Sequence, residues 1–91
     1  MRLILALLLV CLATAAPAAR VALVLGNGAY QNAPPLPNAT NDARDMAAKL
    51  RELGFTVYEG VDQGRVDTLR VIRAFTEALT PDTTALFYFA G

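Results

Sequence analysis

The chain has 91 residues, of which 55% are hydrophobic and 18% are charged, and its formal net charge is zero. This apolar, balanced composition excludes a disordered chain, and the absence of a basic excess argues against a nucleic-acid partner. The sequence has no His and a single Cys. It therefore offers no imidazole base, internal disulfide or Cys/His zinc cluster, and we expect neither a metal nor a cofactor.

The first 18 residues have the pattern of a secretory signal peptide. A single basic residue, Arg2, precedes an unbroken apolar run over residues 3–12, and small residues follow over 13–19. This run is about half the length that a membrane span needs. We expect cleavage after Ala15 or Ala18, which removes Cys11 with the signal. The sequence predicts an exported protein, periplasmic or secreted, with no membrane attachment after cleavage.

Residues 19–91 alternate strand, helix, strand, helix, strand. Apolar runs predict strands over residues 21–25, 55–58 and 85–90, while apolar residues at helical spacing predict helices after residue 40 and over 65–79. Short connections between alternating elements favour a parallel sheet with right-handed crossovers. Helices on opposite faces of the sheet would place the first strand in the middle. The predicted fold class is therefore α/β, three-layered, with strand order 2-1-3 in the part present.

The first helix has two features that matter for function. Asn38 or Thr40 is a candidate N-terminal cap. Asp42 and Asp45 are then expected in the first turns, where a carboxylate interacts favourably with the positive end of the helix dipole. Gly54 stands where a glycine commonly ends a helix.

The expected functional crevice lies where the strand order reverses, at the carboxyl ends of the first and third strands. Gly26 and Gly28 follow the first strand, but Gln31 replaces the third glycine of a dinucleotide-binding loop. A phospho-acceptor site would need acidic residues after the first and third strands, and neither position has one. Both alternatives are therefore weak.

The third strand is expected at the edge of the sheet, although its sequence is typical of a buried strand. It contains no charge or proline that would protect an edge from pairing with another chain. We therefore expect that further strands follow Gly91 in the intact protein. The alternative is a small protein that pairs this edge in a dimer.

Four segments resemble, in order and spacing, those of the bacterial caspase-like proteins of peptidase family C14. They are RVALVLGNGAY (20–30), LPNATNDARDM (36–46), LRELGFTV (50–57) and FYFAG (87–91). The resemblance covers about residues 20–91. It implies the N-terminal part of a caspase-like catalytic domain over residues 19–91, with a polypeptide substrate and the remainder of the same domain as partners.

The family resemblance implies a cysteine endopeptidase with a Cys–His dyad. The His would follow Gly91 directly and the Cys would follow a fourth strand about 50 residues later, so no catalytic residue is assigned among these 91. The candidate substrate-binding residues are Gly26, Asn27, Gly28, Tyr30, Asp42 and Gly91. Asp42 has two interpretations: selection of a basic substrate side chain, or a purely structural interaction with the helix dipole.

The resemblance also bears on specificity. Animal caspases carry an Arg just before this helix that binds an acidic side chain, and residues 35–40 contain no Arg. The basic-residue preference of metacaspases is the closer analogy. Two other functions stay open: a caspase-fold pseudoenzyme that acts as a periplasmic binding or scaffolding module, and an unrelated secreted α/β binding domain.

Overall fold

The computed structural model describes residues 19–91, so the predicted signal peptide lies outside the described residues. Three strands and two helices alternate along this part of the chain. They are β1 (Arg20–Gly26), α1 (Pro37–Glu52), β2 (Thr56–Val61), α2 (Arg65–Glu77) and β3 (Thr84–Ala90). Within residues 19–91, neither helix combines the length and the apolar character required to cross a membrane.

The three strands form one parallel sheet with β1 in the middle, in the order β2-β1-β3. This confirms the predicted α/β class and strand order. The registers place Gly26 opposite Val61 on one side and opposite Ala90 on the other. Because the strands are parallel, their carboxyl ends meet at one edge of the sheet. In sheets of this kind, ligands bind at that edge, where the strand order reverses.

Helix α1 covers one face of the sheet. Its small and apolar side chains pack on alternate residues of β1, which point to this face because strand side chains alternate. The buried members of this layer are Ala22, Val24, Ala43, Ala47 and Leu50. Leu86 and Tyr88 of β3 also pack here, so α1 covers all three strands.

Helix α2 covers the opposite face only in part. Phe75 is buried against Val21 and Leu23, and its ring meets that of Tyr58 edge-on at 6.3 Å between centroids. Among the described elements, α2 packs on β1 and β2 but does not reach β3. On this face Phe87 is 62% exposed and Phe89 is 55% exposed, which confirms that β3 is an apolar edge strand in this structure.

The ends of α1 differ from the prediction at one terminus and agree at the other. The helix begins at Pro37, a residue that suits a first helical turn, and its N-cap is Leu36 with no side-chain cap. The prediction of Asn38 or Thr40 as the cap was wrong, and no acidic residue lies in the first turn. Gly54, with φ of +87°, follows the helix as predicted.

Candidate functional site

The loop after β1 is joined to the end of β3. The amide of Asn27 donates a 2.9 Å hydrogen bond to the carbonyl oxygen of Ala90, which continues the β1–β3 pairing by one residue. Gly91 then lies against this loop: a Cβ on it would stand 3.0 Å from Tyr30 Oη and 3.1 Å from Asn27 O. Three of the predicted site residues therefore form one continuous surface.

Gly26 and Gly28 lie beneath that surface, and both are buried. A Cβ at Gly26 would overlap the Ala43 methyl group of α1, and one at Gly28 would come 2.5 Å from Thr40 Oγ1. The Gly28 carbonyl oxygen also accepts a 2.7 Å hydrogen bond from the amide of Leu36. These glycines thus allow the loop to pack closely on α1, whereas the half-buried Asn27 and the exposed Tyr30 face outward.

Asp42 lies beside the same surface. Its exposed side chain and the first turn of α1 line a shallow pocket whose other wall is formed by Ala90 and Gly91. Because α1 begins at Pro37, Asp42 is the sixth residue of the helix and lies beyond the first turn. The helix dipole acts mainly within that turn, so the structural interpretation of Asp42 loses its basis.

A second shallow pocket opens at the same edge of the sheet, on the α2 side. It is lined by the end of β1, by Gly60 of β2, by Gln63 of the β2–α2 connection, and by Thr68 and Phe89. Depressions thus flank the junction of β1 and β3 on both faces of the sheet. Asn27 lines this second pocket, and Gly91 lines the pocket on the α1 side.

Asp62 lies beside the candidate site residues but was not among the candidates that the sequence suggested. Its Oδ1 accepts hydrogen bonds from the backbone amides of Gly28 at 2.7 Å and Ala29 at 3.2 Å. Thr40 Oγ1 lies 3.3 Å from Oδ1 and 3.2 Å from Oδ2. An acidic residue directly after a parallel strand was the available signal, since the strand end places it at the crevice.

The environment of Asp62 favours its ionised form. The hydrogen bond from the Gly28 amide lowers the pKa of the Asp62 carboxyl below its ordinary value of 3.8, and the bonds from Thr40 and Ala29 act in the same direction. The positive charge of Arg44 also lowers this pKa, while desolvation opposes the change. Asp62 is therefore a carboxylate at neutral pH and serves as an acceptor for the loop.

Within residues 19–91, no group of three or more His, Cys, Asp or Glu side chains is arranged to hold a metal ion. The carboxylates of this edge have separate surroundings, since Asp42 faces the pocket beside Gly91 and Asp62 faces the β1–α1 loop.

Comparison with known proteins identifies the family. The family model described as the caspase domain, Peptidase_C14, matches residues 19–91. The match includes all five elements and the whole candidate site, and the chain belongs to this family. No curated protein matches the chain. The resemblance seen in the four sequence segments is therefore confirmed at the level of the caspase domain.

Proposed function

We propose that this chain forms the N-terminal part of the catalytic domain of an exported, bacterial caspase-like cysteine endopeptidase. The observation that carries the proposal is the junction of Asn27 with Ala90, which builds one wall from the ends of β1 and β3. Membership of the caspase domain family supports a polypeptide substrate. The sequence has no His, and under this proposal the catalytic His and Cys follow Gly91, as the family resemblance implies.

The geometry of the strand ends suits such a dyad. A cysteine peptidase needs a thiolate nucleophile with an imidazole within hydrogen-bond reach, and backbone amides for the oxyanion. A His placed directly after Gly91 would stand at the carboxyl end of β3, between the two pockets that flank the β1–β3 junction. A Cys from a neighbouring strand end would reach the same crevice, because parallel strands end at one edge.

The substrate side chain that fits this crevice is basic. The Asp42 carboxylate is exposed in the pocket beside Gly91, and no Arg or Lys lines that pocket among the described residues. The position is too far along α1 for the helix dipole to account for an acid there. We therefore propose that Asp42 contributes to selecting Lys or Arg next to the scissile bond, as in metacaspases.

Export is proposed from the sequence of residues 1–18, with the order of charge, apolar run and small residues that signal peptidases recognise. The mature protein would then act in the periplasm or outside the cell. Its partners would be the polypeptide substrate and the remaining strands of its own catalytic domain.

The test uses the full-length gene product, purified without its signal peptide and assayed with fluorogenic peptides. Peptides ending in Arg or Lys before the reporter are expected to be cleaved, and those ending in Asp are not. Iodoacetamide should abolish the activity by alkylating the nucleophilic thiol. Residues 19–91 alone are the matched control and should cleave nothing. A folded full-length protein that cleaves no peptide would favour the pseudoenzyme, a binding module of the same fold.

A further inference from the structure

Asp62 connects two elements that are distant in sequence. It follows β2 directly, and its backbone amide donates a 2.8 Å hydrogen bond to the Gly26 carbonyl oxygen. Its carboxylate reaches further, to the amides of Gly28 and Ala29 in the loop between β1 and α1. Backbone and side chain of one residue thus hold the strand end and the first part of the loop.

The carboxylate also reaches α1 through the hydroxyl of Thr40, which is buried and donates to it. Three separate donors on two elements therefore converge on one side chain. Hydrogen bonds from backbone amides to an ionised carboxylate are stronger and shorter than neutral ones. The 2.7 Å bond from the Gly28 amide is the shortest of those that Asp62 accepts.

The backbone of Asp62 is in a conformation that costs energy. Among the described residues it is the only non-glycine with positive φ, at 53°. This left-handed region is uncommon for residues with a side chain, although Asn and Asp adopt it more readily than most. Such a conformation persists when the surrounding contacts determine it, and here those contacts are the bonds to the loop.

The loop that Asp62 holds carries the outward-facing wall of the candidate site. Gly28 and Ala29 lie between Asn27, which bonds to Ala90, and Tyr30, whose hydroxyl stands beside Gly91. The carboxylate itself faces the amides and Thr40 and not the junction with Gly91. Its influence on a substrate therefore passes through the position of Asn27 and Tyr30.

We propose that Asp62 is a positioning residue, whose carboxylate fixes the β1–α1 loop so that Asn27 and Tyr30 form the substrate wall beside Gly91. This inference rests on the proposed peptidase function for its effect on turnover. The anchoring of the loop by Asp62 is independent of that function and is measured separately.

Two variants of the full-length gene product test the role. Asp62→Asn keeps one acceptor oxygen and tolerates the left-handed backbone, whereas Asp62→Gly keeps the backbone and removes every acceptor. We expect kcat/KM to be highest for wild type, lower for Asp62→Asn and lowest for Asp62→Gly. The Gly variant should lose about 10- to 100-fold, mainly through a raised KM, because a displaced wall misplaces the substrate. Asp82→Asn, which removes an exposed turn carboxylate, is the control and should match wild type.

Two further readouts separate positioning from loss of the fold. The rate of alkylation of the nucleophilic Cys by iodoacetamide should stay within twofold of wild type in every variant, because the dyad is not displaced. Hydrogen exchange of the Gly28 amide should accelerate at least tenfold in Asp62→Gly and remain slow in Asp82→Asn.

The outcomes are distinct. A Gly variant with wild-type KM and wild-type exchange at Gly28 would overturn the proposal, as would an equal loss of kcat/KM and of Cys alkylation. If the wild-type protein cleaves no peptide, the proposed peptidase function is contradicted. Faster exchange of the Gly28 amide in Asp62→Gly than in that wild type would still support the anchoring of the loop by Asp62. If the wild type is inactive and Gly28 exchange is equally slow in Asp62→Gly, both the peptidase function and the anchoring by Asp62 are contradicted.

Discussion

The amide nitrogen of Asn27 lies 2.9 Å from the carbonyl oxygen of Ala90, one residue beyond the last paired position of β1 and β3. This bond brings the loop after the first strand against the end of the third, which is 63 positions later (90 − 27). The family's catalytic machinery is expected at this edge. Within residues 19–91, the wall at this edge is held by this backbone bond together with the side-chain carboxylate of Asp62, which accepts from the Gly28 and Ala29 amides.

The first prediction concerns the close packing of Gly28. Replacing it with Ala should destabilise the protein by about 1–3 kcal/mol, since a buried Cβ would be forced against the Leu36 backbone and Thr40. Urea unfolding followed by circular dichroism measures the difference. Activity should fall as well, because relief of the overlap moves the loop that carries Asn27.

Gly64→Ser is the matched control for Gly28. Nothing lies within 4 Å of a Cβ at Gly64, the N-cap of α2, and this end of the helix has no side-chain cap. Serine is favoured at a helix N-cap because its hydroxyl oxygen accepts a hydrogen bond from a free backbone amide of the first turn. The Gly64→Ser variant should therefore be about 0.5 kcal/mol more stable than wild type. Equal stabilities of the Gly28→Ala protein and wild type would contradict the close packing described for the loop.

Much of this fold could be predicted because its signals are local. The apolar runs of the three strands and the helical spacing of Ala43, Ala47 and Leu50 each indicate their element without knowledge of the others. The order 2-1-3 then follows from right-handed crossovers whose helices lie on opposite faces of the sheet. The observed bounds differ by a few residues, chiefly because β2 extends to Val61 and α1 begins at Pro37.

The site was less predictable, because its determinants are contacts between distant residues. Thr40 is a residue type that commonly caps helices, yet its hydroxyl donates to Asp62, 22 residues later in the sequence. Asp62 looks like an ordinary turn residue until the parallel register brings the end of β2 beside the loop after β1. The proximity of Asn27, Tyr30 and Gly91 could be predicted because strand ends in such sheets converge, a rule that needs only the order of the strands.

The second prediction concerns the charge of Asp42. If its carboxylate selects a basic side chain, the full-length wild-type protein should prefer a peptide with Arg over the same peptide with citrulline, which has a similar shape and no charge. Asp42→Asn should reduce this preference about tenfold, chiefly by raising KM for the Arg peptide. Steady-state kinetics on the two peptides measure the ratio.

Asp45→Asn is the control for Asp42. Asp45 is exposed on the same helix but does not line the pocket beside Gly91, so the preference for Arg should be unchanged. An equal loss of the preference for the Arg peptide in both variants would indicate a general effect of surface charge and would contradict a specific role for Asp42.

The third prediction is a pH dependence of stability. Because the hydrogen bond from the Gly28 amide, with those from Thr40 and Ala29 and the charge of Arg44, lowers the pKa of Asp62 in the folded protein, the unfolded chain binds a proton at Asp62 more readily. The stabilisation is therefore fully present above the ordinary value of 3.8 and is lost as the pH falls through the lower, folded pKa.

Asp62→Asn abolishes this titration while tolerating the same backbone conformation. The difference in unfolding free energy between wild type and Asp62→Asn should be constant from about pH 5 to 7 and should shrink below about pH 4. Denaturant unfolding at each pH measures it, and Asp82→Asn provides the comparison for a general loss of negative charge. A difference that grows as the pH falls would contradict the described hydrogen bonds.

The fourth prediction concerns the edge of β3. Strand β3 is free of charge and proline, and Phe87 and Phe89 lie exposed on the α2 side of the sheet, because α2 does not extend over β3. Such an edge pairs readily with another strand. Purified residues 19–91 should therefore self-associate at micromolar concentration, as measured by light scattering.

A charge on this strand should suppress the association. Phe87→Lys places an ammonium group among the exposed aromatic side chains of the edge, and a charged edge resists pairing. Leu69→Lys introduces the same charge in place of an exposed apolar residue of α2, which is 51% exposed against 62% for Phe87, and should leave the association intact. Equal suppression by both substitutions would show that net charge, and not the edge of β3, governs association, because only Phe87 lies on the edge strand.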